Sequence, residues 1–239
     1  MAAPTPARPS GDRRTSAVQK RTSILPKPSS LFLDPSVLVA QHASFTGIHP
    51  ITVGPNTVLH PHSKISSAIV PVVLGEGVIV YERARVGVGS GDADKRASSA
   101  AGGSSRESMR VDGTFLGRHV IIETGAIIEA AEIGEASVIE AGAVLGRGCV
   151  VGKVRGVLIT DNGNNLLTLL LKFCTVSAHC IVPPHTHLPD FTVVYAGTLK
   201  RIDKTLQAKP QVQGMKSALH VKQLDMFRKL LPNQISKWT

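Results

Sequence analysis

The sequence is poor in aromatic residues: one Trp, two Tyr and six Phe, 4% of 239 residues. Large rings usually dominate a globular core, so this composition favours a narrow interior filled by small aliphatics. Cysteine is also scarce. The odd set Cys149, Cys174 and Cys180, with no secretory signal in view, argues against a disulfide framework and for a reducing compartment. Long apolar runs are missing. The leucine cluster at 166–171 falls far short of the roughly 20 residues of a membrane span, so no membrane insertion is expected. Acid is scarce at both ends. Residues 1–30 hold six Lys/Arg and one Asp, and residues 200–239 nine Lys/Arg and two Asp. Residues 31–199 hold twelve basic and fourteen acidic side chains. The net charge of +10 is therefore a property of the ends. The body is not a basic nucleic-acid surface, nucleic acid is not an expected partner, and the basic ends read as solvated segments.

What the chain does have is a period of six. Residues 1–30 are rich in Pro, Ser and Arg and read as a disordered tail. Their Arg content weakly resembles a mitochondrial transit peptide, but Pro4, Pro6, Pro9, Pro26 and Pro28 oppose a targeting helix. From Leu33 an aliphatic or Phe recurs: Leu33, Val39, Phe45; Val53, Leu59, Ile65; Leu74, Val80, Val86; Leu116, Ile122, Ile128; Ile133, Ile139, Leu145, Val151; Val176, Val182, Leu188, Val194. Twenty apolar residues recurring in runs of six-residue steps are not a chance pattern in a chain that is 42% hydrophobic. Glycine follows seven of them, as at Gly54, Gly75 and Gly117. A small residue often stands four places on, as at Ala43, Thr57, Ser63, Ala84, Ala126, Ser137, Ala143, Cys149, Cys180, Thr186 and Thr192.

Each hexad can supply one short strand and one turn. Three hexads close a triangular coil, with the aliphatic inside and Gly or small polar residues at the tight corners. Stacked coils then pair as parallel strands about 4.8 Å apart, and the fold grows in one dimension. The expected class is mainly β: a parallel β-helix of about six coils over residues 31–199. A β-sandwich would show period two and irregular turn spacing instead.

Two of the interruptions are long. Residues 89–113 are low in complexity and read as a flexible loop extruded at a corner. Residues 153–173 separate Val151 from Val176, with an unlike texture that resumes the pattern afterwards. They read either as an insertion or as a retained intron. Beyond Pro210 the pattern changes to a helical one over 211–232, ended by Pro232. Met215, Leu219, Leu224, Met226, Phe227, Leu230 and Leu231 are placed on one face. The helix is expected to pack on one flat side of the prism through Leu219, Leu224, Phe227, Leu230 and Leu231.

Chemistry is hard to find. A zinc hydratase needs three imidazoles and an open coordination position. Where the γ-class carbonic anhydrases place their histidines, the sequence has Gly87, Thr124 and Glu129. His60 and His62 would share a face of one strand, and His185 and His187 share another hexad, yet neither pair has an identifiable third ligand. His119 and His179 could serve an acyltransferase as general base by residue type alone. No phosphate-binding loop is present. Cys174 and Cys180 lie one hexad apart on successive faces and form no metal pair. No catalytic residue, metal or cofactor is expected.

Ile51-Thr-Val-Gly-Pro-Asn-Thr-Val-Leu-His-Pro-His-Ser-Lys-Ile65 with Pro71-Val-Val-Leu-Gly-Glu-Gly77, and Leu224-Asp-Met-Phe-Arg-Lys-Leu-Leu-Pro-Asn233, resemble the dynactin subunit 6 family of pointed-end dynactin subunits. Phe191–Gly197 followed by Lys200-Arg201 is similar to the end of that family's last coil. The resemblance spans about 33–152 and 174–233, and its helical ending is the more specific part. It implies a left-handed coil and a non-enzymatic role in dynein-driven cargo transport along microtubules, in the cytoplasm and on the cytoskeleton. The partners it implies are dynactin subunit 5, itself a β-helix, the pointed-end actin-related protein, other dynactin subunits including a zinc-bearing one, and dynein cargo adaptors. Two alternatives stay open: a mitochondrial γ-carbonic-anhydrase-like protein without zinc, and a hexapeptide acyltransferase.

Overall fold

The computed structural model describes residues 30–87, 113–129, 132–152 and 173–238. The proposed tail 1–30 lies outside the described residues except for Ser30, the loop 89–113 except for Gly113, and the insertion 153–173 except for Phe173.

Short strands wind into a three-sided prism. The first face has seven parallel strands, from Leu31–Leu33 to His187–Leu188. The second runs from Leu38–Val39 to Thr192–Tyr195 and ends with an antiparallel strand, Leu199–Ile202, giving eight. The third has six, from Ser44–Gly47 to Ile181–Val182. Each parallel strand pairs with the one three places before it. The result is six full coils and two strands of a seventh.

The period-six residues form three straight columns. On the first face Leu33, Val53, Leu74, Leu116, Ile133, Val151 and Leu188 are in register. Val39, Leu59, Val80, Ile122, Ile139, Val176 and Val194 align on the second. Phe45, Ile65, Val86, Ile128, Leu145 and Val182 align on the third. All but Leu33, which is partly buried, belong to one buried core. Like side chains therefore stack coil on coil, each removing its neighbour from water. The small residues four places on are buried too, Thr186 alone being intermediate. Their size lets the corner fold inward, and Thr57 spends its hydroxyl on the Gly75 carbonyl at 3.0 Å.

The glycines after the aliphatics answer to the coil spacing. A Cβ on Gly54 would lie 2.8 Å from the Gly75 backbone, one on Gly75 2.9 Å from Gly117, and one on Gly117 2.8 Å from Glu135 N. This column of close backbone approaches tolerates no side chain.

Beyond the prism the chain makes a short helix, α1 (Lys204–Ala208), and a long one, α2 (Pro210–Leu230). The Asp203 carboxylate caps α1 by accepting from Leu206 N at 2.9 Å. Pro210 opens α2 where its missing N–H costs nothing. Arg228 and Lys229 occupy its last turn, favourable at the carbonyl end. The antiparallel strand and α1 were not foreseen in the sequence.

Candidate functional site

The prism spends its second face on its own helix. Outside the core column that face carries Leu38, Val58 and Ile79 in successive coils. These three form a separate buried cluster with Leu224 and Phe227 of α2, and Tyr81, Ile121 and Leu231 pack at its margin. Full burial of a Leu or Phe side chain contributes roughly 1.5–3 kcal/mol, so Leu224 and Phe227 dominate the seam. His60 lies buried between Tyr81 and Phe227, its ring stacked 4.6 Å from Tyr81 and edge-on to Phe227 at 4.6 Å. Gln223 Nε2 donates to the Tyr81 hydroxyl, and the Arg228 guanidinium donates to Asn56 Oδ1.

The inner stripe of α2 is His220, Leu224 and Phe227, at steps of four and three, continued four residues on by the cap residue Leu231. His220 is buried and bonds the Gly77 carbonyl through Nε2 at 2.7 Å. Gly77 holds φ +64°, and a Cβ there would stand 2.7 Å from His119 Nδ1 and 3.4 Å from Leu224 Cδ1. Glycine thus serves both the left-handed corner and the close approach of the helix. Leu219 and Leu230, expected in the seam, are instead 67% and 68% exposed. They lie about a quarter turn or more from the inner stripe. Hydrophobicity alone grouped them with Leu224 and Phe227, while a neutral histidine takes the inward place.

A second contact closes the start of the prism. Among the described residues no coil precedes the first, so the strand Leu38–Val39 has one open edge. Asn233 fills it: its Oδ1 accepts from Val39 N at 3.1 Å and its Nδ2 donates to the Val37 carbonyl at 3.0 Å. Gln234 N adds a bond to the Val39 carbonyl at 2.8 Å. Ile235 and Trp238 then pack against the main core, with Trp238 edge-on to Phe45 at 5.0 Å. The Leu-Leu-Pro-Asn ending is therefore a working unit. Leu231 closes the seam, Pro232 stops the helix, and Asn233 imitates a missing strand.

The histidines do not converge on a metal. Among the described residues no three His, Cys, Asp or Glu side chains could hold one. His62 sits at a left-handed corner, stacked on His42 at 4.9 Å, while His60 faces the helix. His119, His179 and His185 are also left-handed corner residues, and His187 is exposed. The Nδ1 atoms of His179 and His185 lie 2.6 Å from where a Cβ on Gly142 and Gly148 would stand, so each ring covers a glycine. Cys149, Cys174 and Cys180 are buried thiols that form no disulfide.

His119 and His220 do meet, with rings edge-on at 5.2 Å. Burial holds His220 below the ordinary histidine pKa, and His119 adds to this, against the Gly77 bond. Burial also lowers the pKa of His60, opposed by Glu82. The two rings border a cavity of about 190 Å³ between Ile121, Val138 and Phe173 on the prism and Lys216 on α2. Small-molecule pockets are typically about 300–1,000 Å³, so this space suits one large side chain better than a pantetheine arm. Among the described residues no helix is long and apolar enough to cross a membrane.

Three parallel faces built from hexads with inward aliphatics define a left-handed parallel β-helix. A hexapeptide transferase family protein from Anaplasma phagocytophilum shares the fold, with TM-score 0.51 and 10% identity over 87% of this chain and 98% of that one. A Bacillus cereus protein provisionally described as an acetyltransferase overlays at TM-score 0.48 and 13% identity, over 84% of this chain and 92% of that one, too loosely to carry an argument. In sequence the chain is similar to dynactin subunit 6 of Xenopus tropicalis, 26% identical over 183 residues, covering 77% of this chain and 73% of that protein. No protein-family model matches the chain.

Proposed function

We propose that this chain is a non-enzymatic subunit of the dynactin pointed-end complex, supporting dynein-driven cargo transport along microtubules. The observation that carries this reading is the similarity to dynactin subunit 6 across 77% of the chain. The expected partners are dynactin subunit 5, the pointed-end actin-related protein, other dynactin subunits and cargo adaptors. The expected location is the cytoplasm, on the cytoskeleton. The architecture supports the reading: a stacked prism offers rigid flat faces, and two of its three faces are not taken up by α2. Affinity purification of the tagged chain tests it. Actin-related proteins should be recovered with the bait, whereas respiratory subunits or a bare homotrimer would overturn it.

A second reading, a hexapeptide acyltransferase, draws on the meeting of His119 and His220 alone, since the cavity beside them suits a side chain better than a pantetheine arm. Acetyl transfer from acetyl-coenzyme A to amines and sugars, lost in His119→Ala, would favour it over the first.

A further inference from the structure

The helix that seals the second face is apolar on its outer side as well. Met215, Leu219, Met226 and Leu230 are 72%, 67%, 49% and 68% exposed. At 100° per residue they fall within about 60° of one another, on the side away from Leu224 and Leu231. The stripe runs nearly the whole length of α2. It exposes roughly 400–500 Å² of apolar surface, in the middle of the range that the largest patch of a monomer spans. The cavity beside Leu219 opens along the same edge.

We propose that this outer face docks an amphipathic helix from a protein partner, with acidic residues flanking its apolar stripe. The spacing of four, seven and four is that of a helix-packing seam. Lys222 and Lys229 border it, and α2 carries Lys216, Lys222, Arg228 and Lys229 against the single acid Asp225. Asp225 is itself 3.9 Å from Arg228. A second copy of this chain in antiparallel pairing would set lysine against lysine, which disfavours self-association. Methionine at two of the four positions gives an adaptable surface for a partner's side chains. The side-chain-sized cavity lined by Ile121, Val138 and Phe173 supplies an anchor point of the kind that dominates interface energetics. The inference deepens the proposed function by naming a docking face, and rests on it only in taking the chain as an assembly subunit.

Fluorescence anisotropy of the full chain with a synthetic three-heptad helix tests this. The probe carries Leu at the apolar positions and Glu on both flanks, and a control helix replaces each Glu by Lys. The Glu-flanked helix should bind, the Lys-flanked helix should not, and the double variant Leu219→Glu/Leu230→Glu should weaken binding at least about tenfold with an unchanged melting curve. Equal binding by the variant, no binding at all, a wild-type dimer in light scattering, or preferential binding to phosphatidylserine vesicles would each overturn the proposal. A chain that fails this titration yet still recovers actin-related proteins loses the docking face and keeps the proposed function.

Discussion

The two sides of α2 carry similar side chains and do opposite things. Leu224 and Phe227 are buried against Leu38, Val58 and Ile79. Leu219, five residues before Leu224, and Leu230, three after Phe227, stand in solvent. What separates them is the surface opposite. The second prism face presents an aliphatic column that only one side of a straight helix can meet, and the inward stripe is set by contact with that column. Hydrophobicity marks a residue as able to pack; the partner surface decides whether it does.

Breaking the inner side should have the largest effect. Phe227→Ala removes a ring packed on His60 and Tyr81 and is expected to cost about 3 kcal/mol. A melting scan should show a midpoint lower by roughly 6–12 °C. Asn233→Ala comes next. It strips the partners from Val39 N and the Val37 carbonyl, and a buried polar group left unmatched costs about 1–3 kcal/mol. Chemical denaturation measures the loss. Greater aggregation of the variant would further show that the capped edge is a pairing template.

The seam should also respond to acid. His60 and His220 both have pKa values lowered in the folded chain, so the unfolded chain binds more protons below the ordinary histidine value of about 6.5. The stability they contribute is fully present above that value and is lost as pH falls through it. The groups facing them are Glu82, which resists the shift of His60, and His119, which enhances that of His220. Melting scans across this range should give midpoints a few degrees lower on the acid side, and the double variant His60→Phe/His220→Gln should flatten the dependence. The outer side should answer least: Leu230→Ala is expected to change stability by no more than about 0.5 kcal/mol, and a larger loss would mean that the outer stripe is structural.

The register break between Val151 and Val176 poses a different question. Elsewhere, consecutive core residues from first to second face are six apart, as are those from second to third. Corners from third to first face absorb every other change of length, from five residues at Ile128–Ile133 to thirty at Val86–Leu116. The break thus falls at a corner that is otherwise invariant. Deleting the nineteen residues 154–172 would join Lys153 to Phe173 and restore an interval of six. At the codon level Val154-Arg155 is encodable as GTRAGR, Leu167-Thr168 as CTRACN and Lys172 as AAG, so these residues are compatible with the donor, branch and acceptor signals of a short intron. Sequencing of transcripts is expected to find messages without these codons. The protein they encode should be equally or slightly more stable, by about 1 kcal/mol, because fewer residues separate Val151 from Val176. Transcripts that all retain the codons would make the segment a true insertion.

The sequence by itself determined the prism. A period of six is a local property, repeated twenty times, and each repeat needs only its neighbours to bury its aliphatic. It was equally direct about where metal ligands do not stand, because Gly87, Thr124 and Glu129 cannot supply imidazoles. Only the tertiary structure decided the rest. The inward stripe of α2 depends on Leu38, Val58 and Ile79, which lie more than 140 residues earlier in the chain. Asn233 reads as an ordinary residue after a proline until Val37 and Val39, 196 and 194 residues away, are seen to have one edge with no strand beside it among the described residues. His220 looks like a solvent residue until Gly77 offers its carbonyl. Such contacts leave no period in the sequence: they join two segments that each satisfy their own local rules, and the matching of their surfaces exists only once the chain has folded.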